Sequence, residues 1–151
     1  MAFKTVYESA FYRIEVDLDA NILRAAWLKA ADETELKAGG TKLYEVLRDT
    51  GVERAIANAT SLGALSTASK EWMSTAFFEQ LSQTQLKKLA RVLPSTLFHR
   101  IALESVVTRA EALGVTKFIV KNFSTQEEAI SWLLSQNTLP PQPLSPSSIQ
   151  L

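Results

Sequence analysis

The chain has no cysteine, a single histidine, only five glycines and no net charge. Without cysteine there is no disulfide, no thiolate nucleophile and no Cys-based zinc site, which fits a reducing compartment. Sixteen basic residues balance sixteen acidic ones, so the cationic excess that a nucleic-acid or anionic-membrane binder needs is missing. No stretch approaches the ~18 apolar residues of a membrane span, and Met1 to Glu8 hold no apolar core of a secretion signal. A cytoplasmic protein without a cofactor is expected. What is present is a hydrophobic content of 46% in 151 residues, enough to bury one core.

Tyr12, Ile14, Val16 and Leu18 alternate with Arg13, Glu15, Asp17 and Asp19, the period of a half-buried strand. Asp19 to Asn21 turns the chain into a second strand, Ile22 to Leu28, and Thr5 to Ser9 adds an edge strand before them. Short connections make these pairs antiparallel. Asp32 with Glu35 then opens a helix in capping-box fashion, Leu36, Leu43 and Leu47 line one face, and Gly51 stops it. Gly39-Gly40 inside this helix costs roughly 1 kcal/mol per glycine relative to alanine. The pair is read as close approach of helix to sheet, because a phosphate loop would lie between strand and helix and end in Lys-Ser/Thr.

Further strands are expected at Arg54 to Asn58, Leu86 to Leu93 and Thr116 to Asn122, the last with a centre, Phe118 to Val120, apolar enough to be buried. Helices alternate with them. One carries Trp72, Ala76, Phe77 and Leu81. A second, after Pro94, carries Phe98, Ile101, Leu103, Val106, Ala110 and Leu113. The last opens with Ser124-Thr-Gln-Glu127 as a capping box and runs through Ala129, Ile130, Leu133 and Leu134. From Thr138 onward the composition changes, with Pro140, Pro141, Pro143 and Pro146 among serines, and 1–135 is read as the domain with 136–151 as a Pro/Ser-rich tail.

The candidate site residues are few. Ser61, Ser66 and Thr67 lie in a small-residue loop that runs into a helix N-terminus, where free N–H groups and the helix dipole favour a phosphate or an acidic group. His99 has no Cys or carboxylate at ligand spacing and is read as a surface or partly buried helix residue. Asp17 and Asp19 share the polar face of a strand. Lys87, Lys88 and Arg91 are read as a solvated strand end. Trp72, Phe77, Phe78 and Trp132 are read as core, except that Phe78, about 100° from Phe77 on a helix, turns toward an apolar cleft or an interface. With Trp72 and Met73 it makes a candidate apolar-ligand or subunit contact.

The order of elements, Ala57-Asn-Ala-Thr-Ser-Leu-Gly-Ala-Leu-Ser66, Trp72, Arg91-Val-Leu-Pro94 and the closing Phe123-Ser-Thr-Gln-Glu-Glu-Ala-Ile-Ser-Trp-Leu133 together resemble the STAS-like (SpoIIAA-like) family, specifically its bacterial STAS/SEC14 branch. The resemblance implies a mixed α/β sheet of four or five strands with helices mainly on one face. In anti-sigma-factor antagonists of that family a serine at the matching helix N-terminus is phosphorylated and switches partner binding; Ser66 and Thr67 occupy that place here. The Asp-Ser-Ser/Thr-Gly signature of those proteins is replaced by Gly63-Ala-Leu-Ser-Thr67.

No catalytic constellation emerges, so a non-enzymatic regulatory or protein-interaction domain is expected, with an apolar-ligand or lipid-binding module as the alternative. A pocket of roughly 300 Å³ or more would favour the alternative. An exposed edge at Thr5 to Ser9, an apolar Phe78 region and zero net charge favour a homodimer.

Overall fold

Alternation in the first thirty residues does become strands. Lys4–Glu8 (β1), Tyr12–Asp17 (β2) and Ile22–Trp27 (β3) pair antiparallel, with a bulge between Thr5 and Tyr7. Arg54–Asn58 (β4), Lys88–Val92 (β5) and Ile119–Phe123 (β6) continue the sheet in parallel. This computed structural model describes residues 1–135, and the Pro/Ser-rich stretch 136–151 lies outside the described residues. The described sheet has six strands in the order β1-β2-β3-β4-β5-β6. That exceeds the four or five expected, because β1 is a full partner of β2 and β6 closes the far edge. The buried parallel strand expected around Phe118 is instead an edge: Phe118 is buried before it begins, while Ile119 is 50% exposed.

The turn between β2 and β3 is held by Asp17, whose carboxylate accepts from Ala2 N (2.8 Å) and Ala20 N (3.1 Å). Those backbone bonds hold its pKa below the usual carboxylate range. Asp17 is therefore a buried turn residue, not the solvated one expected, whereas Asp19 is exposed. Asn21 takes a left-handed conformation (φ 58°), and its side chain accepts from Glu53 N at 2.8 Å, tying this turn to the start of β4.

The helices are Glu33–Thr50 (α1), Thr67–Trp72 (α2), Phe78–Leu81 (α3), Leu97–Ala112 (α4) and Gln126–Leu133 (α5). A π-helical turn, Met73–Phe77, joins α2 to α3 in one rod. Each parallel step of the sheet moves in the same direction, and crossovers have a fixed hand. The crossover elements therefore pack on one face, where Tyr12, Ile14, Leu23, Leu89 and Phe118 meet Leu36, Leu43, Phe78 and Val106. α5 makes no crossover and covers the opposite face, Ala129 and Leu133 packing on Ile22, Ile56, Ala90 and Val92.

The capping box of α1 forms as expected: Asp32 Oδ1 accepts from Glu35 N and Glu35 Oε1 from Asp32 N. On α5 the cap falls one residue later than expected, since Thr125 rather than Ser124 accepts from Glu128 N. On α4, Leu103, Val106 and Ala110 are buried, but Phe98, Ile101 and Leu113 are exposed and do not belong to the core assigned to them.

Gly39 and Gly40 are where α1 presses onto aromatic rings. A Cβ on Gly39 would lie 2.6 Å from Trp27 Cη2, and one on Gly40 would lie 2.7 Å from Trp72 Cη2. The close-approach reading therefore holds. Gly39→Ala and Gly40→Ala would each gain about 1 kcal/mol of helix propensity and lose about 1–3 kcal/mol to overpacking. A net loss of about 1 kcal/mol is expected from urea midpoints. A net gain in either variant would mean that the rings swing aside freely.

Candidate functional site

Three basic residues near the parallel strands meet very different fates. Arg54, at the start of β4, donates to Leu133 O (2.9 Å) and Ala20 O (2.6 Å). Lys88, at the start of β5, donates to Trp132 O at 3.0 Å and lies 4.3 Å from the Trp132 ring centroid. These two cations satisfy carbonyls at the C-terminal end of α5, where the helix dipole also favours positive charge. Lys88 is buried, and that burial, with Arg54 and Lys121 nearby, pushes its pKa down.

Arg91 is the exception. It follows Leu89 and precedes Leu93 on the helix-covered side of β5, and only 4% of it is exposed. Its Nη2 donates to Leu103 O of α4 at 2.5 Å, while Nε and Nη1 are buried and have no partner among the described residues. Burial pushes its pKa down to about 10, against the opposing field of Glu104, so it stays charged at neutral pH. The solvated strand end expected of Lys87, Lys88 and Arg91 is thus wrong for two of the three. Only Lys87 is exposed, 3.7 Å from Glu53.

Arg91 is among the residues that line an apolar cavity of about 50 Å³. Gly40 and Leu43 of α1, Trp72 and Phe77 of the α2–α3 rod, Leu89 of β5 and Leu103 of α4 form much of its wall. Met73 and Phe78 also line it, so the structure brings Trp72, Met73 and Phe78 together as grouped in the sequence, but inside the molecule. Phe78 is 1% exposed, not turned to a cleft edge or interface. The π turn is the cause: its extra residue brings Met73, Phe77 and Phe78 all toward the sheet, which the 100° spacing of a regular helix does not allow. The cavity is also far below the ~300 Å³ of a pocket for a lipid-sized ligand. Trp72 is half-buried, its ring stacked 5.1 Å from that of Phe77.

The loop from β4 to α2 holds the hydroxyl candidates. Leu62 is buried in it, and Gly63 reverses the chain at φ 84°. Ser66 caps α2, accepting from Ser69 N at 3.0 Å and meeting Ser69 Oγ at 3.1 Å. Ser61, Ser66 and Thr67 are all exposed. Thr67 lines a surface groove with Lys70 and Glu71 of α2, Ser74, and Ser105, Val106 and Arg109 of α4. An exposed ion pair, Arg109 to Glu71 at 2.9 Å, bridges this groove. His99 is half-buried beside Phe98, its ring 5.7 Å from that of Phe98.

This arrangement of strands and helices is found elsewhere. The crystal structure of an uncharacterized protein from the DUF3478 family with a SpoIIAA-like fold, from Shewanella loihica PV-4, matches 87% of this chain and 92% of its own, with a TM-score of 0.50 and 17% identity. The fold is SpoIIAA-like. The resemblance seen in the sequence therefore holds at the level of fold, and the narrower STAS/SEC14 branch rests on the sequence motifs alone. No protein-family model and no curated protein matches this chain. Among the described residues of the SpoIIAA-like domain, no helix is long and apolar enough to cross a membrane.

Two features of these surroundings escaped the sequence. Arg91 sits at period two between Leu89 and Leu93, so a charged residue on an otherwise apolar strand face was visible there. The pairing of Thr67 with Arg109 carried no local signal, because 42 positions separate them and only the packing of α2 on α4 brings them together.

Proposed function

We propose that this SpoIIAA-like domain acts by binding a protein partner rather than by catalysis, and that Thr67 is the hydroxyl through which binding is switched. The observation that carries the reading is the groove in which exposed Thr67 shares walls with Lys70 and Arg109. A phosphate on Thr67 would add close to two negative charges and strong acceptors opposite two cations. It would compete with Glu71 for Arg109, whose present ion pair is exposed and weakly held. Ser66 is a poorer candidate, since its oxygen already caps the helix. Ser61 is exposed but does not line the groove.

A contact surface lies next to the groove. Leu97, Ile101, Ser105 and Arg109 are spaced by four and share one face of α4. Leu97 and Ile101 are 68% and 54% exposed, and Phe98 beside them is 71% exposed. Apolar exposure of this kind on a polar surface marks interaction sites.

The test is phosphosite mass spectrometry on protein isolated from its host, together with recovery of its bound partner. Modification is expected on Thr67, partner binding should change in Thr67→Glu, and Ile101→Glu should abolish it. If no hydroxyl among Ser61, Ser66 and Thr67 is modified and Ile101→Glu keeps the same partner, the proposal fails.

A further inference from the structure

We infer that the free edge of β6 is a docking site for an extended acidic segment of another protein, which adds to the sheet as a strand beyond β6. The site shares no residue with the Thr67 groove and stands without that reading.

A strand at the end of a sheet offers the backbone groups of alternate residues to a newcomer. Ile119 N donates to Lys87 O and Phe123 O accepts from Leu93 N, so both residues bond inward to β5 and its flanks. The alternation of a strand then turns the N–H and C=O groups of Val120 and Asn122 outward. No further strand pairs with them among the described residues. The opposite edge is guarded, since β1 carries a bulge between Thr5 and Tyr7 and charges of both signs in Lys4 and Glu8. β6 has neither device. Its register with β5 runs unbroken from Ile119 to Phe123, and it holds no proline.

Charge selects the occupant. The chain is neutral as a whole, but this side of the sheet is not. Residues 86–96 and 115–125, which contain β5, β6 and their flanks, carry Lys87, Lys88, Arg91, Lys117 and Lys121 and no acid. Lys87 is 3.7 Å from Glu53, and Lys88 and Arg91 are buried. Lys117 and Lys121 are exposed and form no ion pair within 4 Å among the described residues. Lys88, its pKa depressed first by burial, also feels Arg54 and Lys121, so positive charge is already crowded here. Ile119, 50% exposed, shares one face of β6 with Lys121. A newcomer gains by setting an apolar residue beside Ile119 and an acid beside Lys121. A second acid on the other side of that apolar residue falls toward Lys117. The resulting acid–x–apolar–x–acid pattern reads the same in both directions, so it serves a parallel or an antiparallel strand. A second copy of β6 is disfavoured, because it brings further lysines to the same edge. The stretch 136–151 has no acidic side chain and four prolines, which lack the N–H a ladder needs.

The test uses the full chain and a short synthetic probe, Thr-Glu-Thr-Ile-Thr-Glu-Thr, blocked at both ends. One control replaces both glutamates by lysine, and another replaces the threonines on either side of the isoleucine by proline. The amide resonances of Val120 and Asn122 are followed by NMR. With the acidic probe, a saturable shift of both is expected, with slowed hydrogen exchange and a Kd that about 0.5 M salt weakens severalfold. Neither control should bind. Lys121→Glu should weaken the acidic probe about fivefold and admit the lysine probe, as a cross-strand attraction becomes a repulsion. The inference is overturned if neither amide responds to the acidic probe up to about 5 mM, above a millimolar Kd. It is equally overturned if the lysine probe binds the wild type as well, or if Lys121→Glu binds the acidic probe unchanged. Val120 and Asn122 amides already protected in the free protein overturn it too. Protection lost on dilution would assign the edge to a second copy, and protection at every dilution to the chain itself.

Discussion

Arg91→Met is expected to make the protein more stable, not less. Removing a buried, half-satisfied guanidinium and filling the same volume with an unbranched apolar chain resembles other replacements of buried charges, which stabilise by about 1–4 kcal/mol. The substitution loses one hydrogen bond, Nη2 to Leu103 O. That carbonyl lies inside α4 and keeps its intrahelical partner, so it is not left orphaned. Charge removal should win by about 2 kcal/mol, and at this chain length each kcal/mol moves Tm by roughly 2–4 °C. Thermal unfolding followed by circular dichroism checks it. A variant clearly less stable than wild type would show that Arg91 is a strut between β5 and α4 and nothing more.

Phe78→Ala should have the opposite sign and a larger size. Phe78 is among the largest fully buried side chains, its ring 5.9 Å from that of Phe77 and 5.6 Å from that of Phe118. Truncating such a ring costs about 3–5 kcal/mol, and the cost rises with the void left behind. Here the new void would merge with the core cavity, because Phe78 is already part of its wall. Domains are stable by only about 5–15 kcal/mol, so Phe78→Ala removes a large fraction of the total. A urea titration should show a much lower midpoint with little change in slope. A change below about 1 kcal/mol, with altered self-association, would return Phe78 to an interface role and contradict its burial.

Much of this architecture was legible because it depends on short-range patterns. The alternation of Tyr12, Ile14 and Val16, the Asp32–Glu35 box and the Gly51 stop are all decided within a few residues of themselves, and each formed. What failed depended on facts a local pattern does not hold. An apolar centre such as Phe118 to Val120 looks alike in a central strand and at an edge; β6 became an edge because no seventh strand follows it in the described sheet. Phe78 was misplaced because a single π turn resets the helical phase, and nothing in Met73 to Phe77 announces it. Phe98 and Ile101 fit the periodicity of a buried face, yet they precede the part of α4 that reaches the sheet. Of the candidate site, the loop hydroxyls were legible as a strand-to-helix junction. The cations that face Thr67 were not, since they come from α2 and a distant helix together.

The order of the sheet has a bearing on how the polypeptide is made. Every strand lies beside the one synthesised just before it, so no strand must wait for a later segment to be inserted next to it. Assembly can advance in one direction as the chain leaves the ribosome, and the longest separation between paired strands is that of a single crossover. Such local pairing lowers contact order and speeds folding compared with sheets wound outward from a central strand. The vulnerable moment comes late. Until Ile119–Phe123 arrives, β5 is an open edge, and until Gln126–Leu133 docks, Ile56, Ala90 and Val92 present bare apolar surface. Nascent chains halted between Gly114 and Ser124 should therefore be the most prone to aggregate and the strongest clients of chaperones.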